Sequence, residues 1–348
     1  MRILIEIGHP AHVHFFKRAI SRLENHGHFV LVTTRNKDIT NELLDRLNIP
    51  YHSLSRPSKK RAFLLLELAW RWLATCYFLL RYRISRSVSI SGITTSLPSK
   101  ICGISNLVFT DTEDAKISNW IAFPFADQVL TPDFYLADLG PKQIRYSGLH
   151  ELAYLQDFDF EWAAAKRRTL GLPAKYFIIR MVKNDALHDW DIEGLSVPCV
   201  ERLIDKLKPF GQVFVTSEGK IHPKLESYRL QTPLADIHAV LEGALLFIGE
   251  SPTMAVESSL LGTPAFLMSQ RSERLGNMVG LEKQYQLLRN FPTGQALEDA
   301  VAQVSDFAQL KEAWSERAAN YRTTSCDMDD LIIDAIVGGS EGQLPCAA

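Results

Sequence analysis

Short apolar runs alternate with amphipathic stretches along most of this chain, an order that predicts parallel strands joined by crossover helices. Residues 1–7 form an apolar run that stops at Gly8, as a strand buried on both faces would. Residues 15–25 set Phe16, Ala19, Ile20 and Leu23 on one helical face, and Gly27 closes the helix. A strand at 29–33, a helix at 38–47 and a strand at 51–54 come next. Beyond a long apolar helix, strands are predicted at 87–91, 106–110 and 128–131, with helices at 98–102 and 115–121. A charged connector helix spans 157–172 and ends in Gly171-Leu172-Pro173. The alternation then restarts, with strands at 176–182, 213–216, 245–248 and 265–268 and helices at 198–207, 237–242 and 253–261. The predicted fold class is α/β: two Rossmann-like, doubly wound domains facing a cleft, at 1–155 and 172–320, with a C-terminal helix and tail at 321–348. Ligands of such sheets lie at the carboxyl ends of the strands. The tail after Gly338 is small and polar and is expected to fray.

The long apolar stretch, residues 62–80 (AFLLLELAWRWLATCYFLL), is close to membrane-span length. It holds Glu67 and Arg71, each costing roughly 2.5–3.5 kcal/mol at the centre of a span. Three readings stand: a buried or half-buried helix of a soluble domain, an interfacial helix with a cationic rim facing anionic lipid, and, least supported, a span.

Composition bounds the rest. The 348 residues suggest about two domains at ~150 residues each. With 46% hydrophobic and 22% charged residues, the chain is an ordinary globular one rather than a disordered one. A net charge of -2 gives no global basic field, so no nucleic-acid partner is expected. Locally the balance differs, because residues 56–86 carry eight Lys/Arg (Arg56, Lys59, Lys60, Arg61, Arg71, Arg81, Arg83, Arg86) against the single acid Glu67. The five cysteines are scattered and none forms a CxxC, which suits a reducing cytosol and argues against a disulfide framework or a zinc site. No secretion signal is expected, since polar His9 interrupts the first apolar run early.

Three segments carry candidate chemistry. Gly8-His9-Pro10-Ala11-His12-Val13-His14 links the first strand to the first helix and brings three imidazoles to the sheet edge. Read as an extended loop, it puts His12 and His14 on similar sides, and histidine suits base chemistry near neutral pH. The plain alternative is a turn with surface imidazoles. Thr110-Asp111-Thr112-Glu113-Asp114-Ala115 follows a strand, and its acids read equally as helix caps or as an acid/base group facing the cleft. Gly249-Glu250-Ser251-Pro252-Thr253-Met254 runs from a strand into a helix that carries Glu257. Its N–H groups and hydroxyls suit phosphate oxygens, and Glu257 suits sugar hydroxyls; a capped helix with a solvent-facing glutamate is the plain alternative. Two further segments stand beside these. Tyr146-Ser147-Gly148-Leu149-His150-Glu151 lies at the domain boundary, and Arg180 and Lys183 follow the first strand of the second half, where a diphosphate's charge would need offsetting.

The blocks GHPAHVHFFK, FTDTEDAKISN, YSGLHELAYL and GESPTMAVESSLLGTPAF resemble the domain-of-unknown-function 354 family, within the GT-B superfamily of nucleotide-sugar glycosyltransferases and non-hydrolysing UDP-GlcNAc 2-epimerases. The resemblance implies an N-terminal acceptor domain and a C-terminal nucleotide-sugar-binding domain. In the last block the epimerases carry D-S-G-G-x-x-E-E. Glu250-Ser251 matches its start and Glu257 its final glutamate, which implies that Glu257 holds the ribose of UDP, while Pro252-Thr253 replaces the glycine pair. His12 stands where the N-acetylglucosaminyltransferase of peptidoglycan synthesis has a candidate base, and Glu113 resembles the epimerases' glutamate in H-V-E-A-G. The epimerases' first-loop G-T-R-P-E is absent.

The expectation is therefore a metal-independent glycosyltransferase using a UDP-sugar as substrate, without a further cofactor. Its alternatives are a UDP-sugar 2-epimerase and an inactive nucleotide-sugar-binding scaffold. The expected catalytic groups are His12 and Glu113. The expected nucleotide-sugar contacts are Gly8, His9, His14, Arg180, Ser251, Pro252, Thr253, Met254 and Glu257. The expected partner is a glycan or lipid-linked acceptor, and the expected place is the cytoplasm, with peripheral contact on the inner membrane face through 62–83.

Overall fold

A computed structural model describes residues 1–338 apart from 38, 57–60, 183–193, 218 and 234–235, and without the side chains of 61 and 62. Lys59, Lys60, Lys183 and the tail from 339 thus lie outside the described residues. The chain divides into two compact units, Met1–Gln156 with the chain from Cys326 on, and Asp157–Ser325.

Unit 1 is built on seven parallel strands: β1 (Arg2–Ile7), β2 (Phe29–Arg35), β3 (Tyr51–Ser55), β4 (Arg86–Ile90), β5 (Ser105–Phe109), β6 (Gln128–Pro132) and β7 (Gln143–Tyr146). Their order is β3-β2-β1-β4-β5-β6-β7. The order reverses at β1, which pairs β2 on one side and β4 on the other. The connections are α1 (Pro10–Asn25), α2 (Thr40–Arg46), α3 (Arg61–Arg81), α4 (Ser96–Cys102) and α5 (Lys116–Ala122). Right-handed crossovers put α1 and α2 on one face and α3, α4 and α5 on the other. Helix α4 packs against both α3 and α5. Strand β1 is an apolar run because both its faces are covered, with Ile3, Leu4, Ile5 and Ile7 all inaccessible.

Helix α6 (Leu152–Leu155) ends the first pass through unit 1, and α14 (Met328–Val337) returns to pack against α1 and α6. That return depends on Arg86. The sequence reading counts Arg86 in the cationic rim of the apolar helix. Instead it is buried and donates to the Ala335 and Ile336 carbonyls at 2.8 Å, ending α14.

Unit 2 opens with α7 (Phe160–Thr169), the helix read from the sequence as a connector. Its five parallel strands are β8 (Tyr176–Met181), β9 (Gln212–Ser217), β10 (Leu246–Gly249), β11 (Ala265–Met268) and β12 (Arg289–Phe291), in the order β12-β11-β10-β8-β9. The reversal falls between β8 and β10, which pair directly. Helices α8 (Val197–Leu207), α9 (Ile237–Gly243), α10 (Pro252–Leu260), α11 (Gly276–Lys283), α12 (Gly294–Ala302) and α13 (Phe307–Thr324) complete it. Phe177, Leu203, Val215, Ile248 and Phe266 share its main core.

The apolar helix α3 is half-buried. Glu67 and Arg71 face the sheet. Arg35 grips Glu67 with two nitrogens at 2.8 and 2.9 Å, Ser55 donates to it at 2.7 Å, and Arg71 donates to Thr94 at 2.8 Å. A spanning helix would have to abandon these contacts. The opposite face is apolar and open, with Leu65, Leu73 and Leu80 at 75, 68 and 63% exposure.

Candidate functional site

In unit 1 the reversal of strand order opens the carboxyl ends of β1 and β4, where the fold leaves room for a ligand. Helix α1 begins five residues earlier than the sequence reading places it, because Pro10 takes the first helical position rather than breaking the chain. His9 is the N-cap and accepts from the Ala11 N–H at 3.2 Å. His12 and His14 therefore lie within the helix, about 200° apart rather than on similar sides. His14 turns away, its ring 5.3 Å from that of Tyr154.

His12 stays at the edge. Its Nδ1 accepts the Gly8 N–H at 3.3 Å. Atoms packed round the imidazole push its pKa down to about 3 although part of the residue is open to solvent; His9, His150 and Lys37 lower it further. The ring is thus neutral at pH 7. Because a backbone N–H only donates, Nε2 carries the proton and the basic lone pair is the one facing Gly8. A hydroxyl that gives a proton to His12 must displace this long contact.

Two neighbouring groups complete this edge: Glu6, which the sequence pattern did not single out, and His150 of the boundary segment that it did. Glu6 is buried beneath Gly8, and burial raises its carboxyl to about 7 against the opposing pull of Arg71, a hydrogen bond with Thr94 and the more distant Arg35. A Cβ at Gly8 would meet Glu6 Oε1 at 3.3 Å, so glycine suits this turn by close approach. On the other side, His150 is buried against Phe15, Phe109 and Tyr146, with Nδ1 3.4 Å from Asp111 Oδ2. Burial lowers the pKa of His150 and Asp111 opposes that shift.

The acidic segment 111–114 does not cap a helix, which corrects one of its two readings. The N-cap of α5 is Ala115 and makes no side-chain cap bond. Asp111 turns to His150, and Glu113 Oε1 accepts the Leu136 N–H at 2.9 Å. Glu113 borders an open hollow of about 480 Å³, lined also by Lys116, Trp120, Phe123, Tyr135 and Leu139.

In unit 2 the reversal lies between β8 and β10. Their close approach requires Gly249, where a Cβ would come within 2.8 Å of the Arg180 Cβ and of the Phe247 ring. Arg180, at the end of β8, donates to Thr216 Oγ1 at 3.0 Å, which holds its guanidinium toward β9. Glu250 accepts the Val182 and Leu195 N–H groups at 3.0 and 2.7 Å, fastening the chain on both sides of 183–193. Ser251 caps α10, accepting from the Met254 N–H at a long 3.5 Å, and Pro252 takes the first helical position. Thr253 is exposed at the helix start, and Met254 is partly exposed. Glu257 follows on the same helix, its carboxylate 3.2 Å from His238 Nε2 of α9. The structure thus gathers Arg180, Ser251, Pro252, Thr253, Met254 and Glu257 around one sheet edge and adds His238, which the sequence pattern did not single out. A second cavity of about 830 Å³ opens along β8 and β9 in this unit, lined by Met181, Val182, Ser217, Lys220, His222 and Arg229. Among the described residues, no cluster of three or more His, Cys, Asp or Glu is placed to hold a metal ion.

The chain resembles known structures over nearly its whole length. S. aureus MnaA in a co-structure with UDP superposes with a TM-score of 0.68 at 11% identity, over 96% of this chain and 95% of that one. UDP-GlcNAc 2-epimerase from Neisseria meningitidis bound to UDP-GlcNAc gives 0.63 at 11% identity, over 96 and 97%. Acinetobacter baumannii MurG gives 0.57 at 13% identity, over 96 and 98%. At such identities these likenesses establish the fold, which is the GT-B class, and leave the activity to be argued. No match emerged among curated protein sequences. The family model described as a protein of unknown function (DUF354) matches residues 1–281, and the chain belongs to that family.

Proposed function

We propose that the protein is a glycosyltransferase that uses a UDP-sugar of the UDP-GlcNAc kind, working in the cytoplasm on a glycan or lipid-linked acceptor in envelope or surface glycan synthesis. The observation that carries this reading is the β10–α10 turn at a switch point of the sheet. There the Thr253 N–H and hydroxyl at the start of α10 favour a diphosphate, Arg180 of the neighbouring strand β8 adds positive charge at the same sheet edge, and Glu257 lies one turn further in, where a carboxylate suits a ribose. A helix N-terminus and a guanidinium can offset the diphosphate charge, so the reading needs no metal.

In this reading the acceptor oxygen bonds to the sugar's anomeric carbon as the bond from that carbon to the diphosphate oxygen breaks. UDP leaves with the electron pair, and the acceptor's proton passes to His12 Nδ1 in place of the Gly8 N–H, a step that requires the anionic donor and polar acceptor to offset the burial that holds this imidazole's pKa down. Asp111 and His150 support the same edge of unit 1. Structures of epimerases give higher TM-scores here than that of MurG, which keeps a UDP-sugar 2-epimerase as the second reading, with Glu113 as its acid/base group.

Incubation with UDP-GlcNAc alone separates the two. The transferase leaves the nucleotide sugar intact, or hydrolyses it slowly, until an acceptor is added, whereas an epimerase converts it to UDP-ManNAc. Binding of UDP with no turnover under either condition would favour a binding scaffold.

A further inference from the structure

Helix α3 has a buried inner face and an apolar outer one. The inner one, with Leu68, Arg71, Thr75 and Leu79, is fixed to the sheet side of unit 1. The outer one carries Leu66, Trp70, Leu73, Tyr77 and Leu80 at alternating spacings of four and three, every one of them at least 60% exposed. Such spacing makes a continuous stripe about 20 Å long on a helix of 21 residues. The stripe has neighbours. Ile101 of α4 and Ile117 and Trp120 of α5, on the same side of the sheet, are 69, 76 and 79% exposed. Monomeric soluble proteins rarely leave a run of large apolar side chains like that on α3 exposed without a partner.

We propose that this side of unit 1 docks on an anionic phospholipid surface, with α3 lying in the plane of the headgroups. The charge pattern selects this occupant. Arg56, Arg81, Arg83, Lys100 and Lys116 are exposed around the stripe. The sole acid on the three helices, Glu67, is turned inward and held by Arg35. The rim of the α3 stripe is therefore cationic on a chain whose net charge is -2. Trp70, Tyr77 and Trp120 are the amphipathic side chains that settle at the headgroup level. A second copy on the same stripe would set cations against cations, while an anionic bilayer meets both the apolar stripe and its rim.

The test is sedimentation of the full-length chain, without nucleotide, with phosphatidylcholine vesicles and with vesicles that also contain phosphatidylglycerol. Being free of nucleotide, it stands or falls separately from the glycosyltransferase reading. Binding is expected to the anionic vesicles and to weaken as salt is added. Leu66→Glu with Leu73→Glu should reduce it by about tenfold or more, since both side chains leave the apolar layer. Arg81→Glu with Arg83→Glu should cost about fivefold per cation removed, and it keeps the question answerable if the leucine variant fails to fold. Equal binding by the wild type and the arginine variant, or no binding by the wild type, overturns the proposal. So does a wild type that forms dimers through the stripe without binding vesicles, or one that resists alkaline carbonate extraction as a span would.

Discussion

Glu6→Gln probes the buried edge of unit 1 through the pH dependence of stability. Glutamine keeps the shape of the neutral carboxyl and cannot ionise. In the folded protein, burial raises the Glu6 carboxyl from an ordinary 4.5 to about 7, with Arg71 and Thr94 opposing the shift. The folded state therefore holds this proton more tightly than the unfolded chain does. Its contribution is fully present below the unfolded value and is lost as pH rises through the folded one. The gap between 4.5 and about 7, at about 1.4 kcal/mol per unit, amounts to about 3 kcal/mol. Urea unfolding of wild type and variant at about pH 4 and about pH 8 reads it directly, because every other titrating group is common to both. The two should be alike at the lower pH, and the variant should be the more stable at the higher pH by about 3 kcal/mol. A stability difference that does not change between the two pH values would refute the assignment of a raised Glu6 and the desolvated edge it implies.

Other substitutions test other joints. At Gly92, φ is +71° and a Cβ would come within 2.6 Å of Ser96 Oγ and 2.7 Å of the Val108 side chain, so Gly92→Ala should destabilise by at least about 2 kcal/mol in thermal or urea melts. Arg86→Met removes the two hydrogen bonds by which Nη1 ends α14 and should lower stability by about 2–3 kcal/mol, with earlier proteolytic release of the C-terminal helix than in the wild type. His12→Ala should abolish transfer to an acceptor while leaving UDP affinity unchanged; an active variant would remove His12 from the proton transfer.

The βα alternation was legible because the central strands are covered on both faces and the longer crossover helices bury one stripe, a pattern that composition and period alone display. The short edge strands β7 and β12 carry too few apolar residues to show it. The start of α1 was misplaced because proline reads as a breaker, whereas at the first helical position it gives up an N–H that would be orphaned anyway. The acids 111–114 looked like caps because their sequence fits one, yet Asp111 and Glu113 find partners about 20 to 40 residues away, at Leu136 and His150. Long-range pairing also hid the roles of Glu67, Arg71 and Arg86. Their partners Arg35, Thr94 and α14 come together only in the folded sheet. The β10–α10 turn was legible because strand, turn and helix are contiguous, but its companion His238 lies on another element.

Isothermal titration of UDP into the wild type and into Glu257→Ala tests the nucleotide-sugar reading most directly. The account predicts saturable binding by the wild type and an affinity about 5- to 150-fold lower in the variant, the equivalent of about 1–3 kcal/mol for a hydrogen-bonding carboxylate removed from the ribose. No UDP binding by the wild type, or equal affinity in the two, would contradict it.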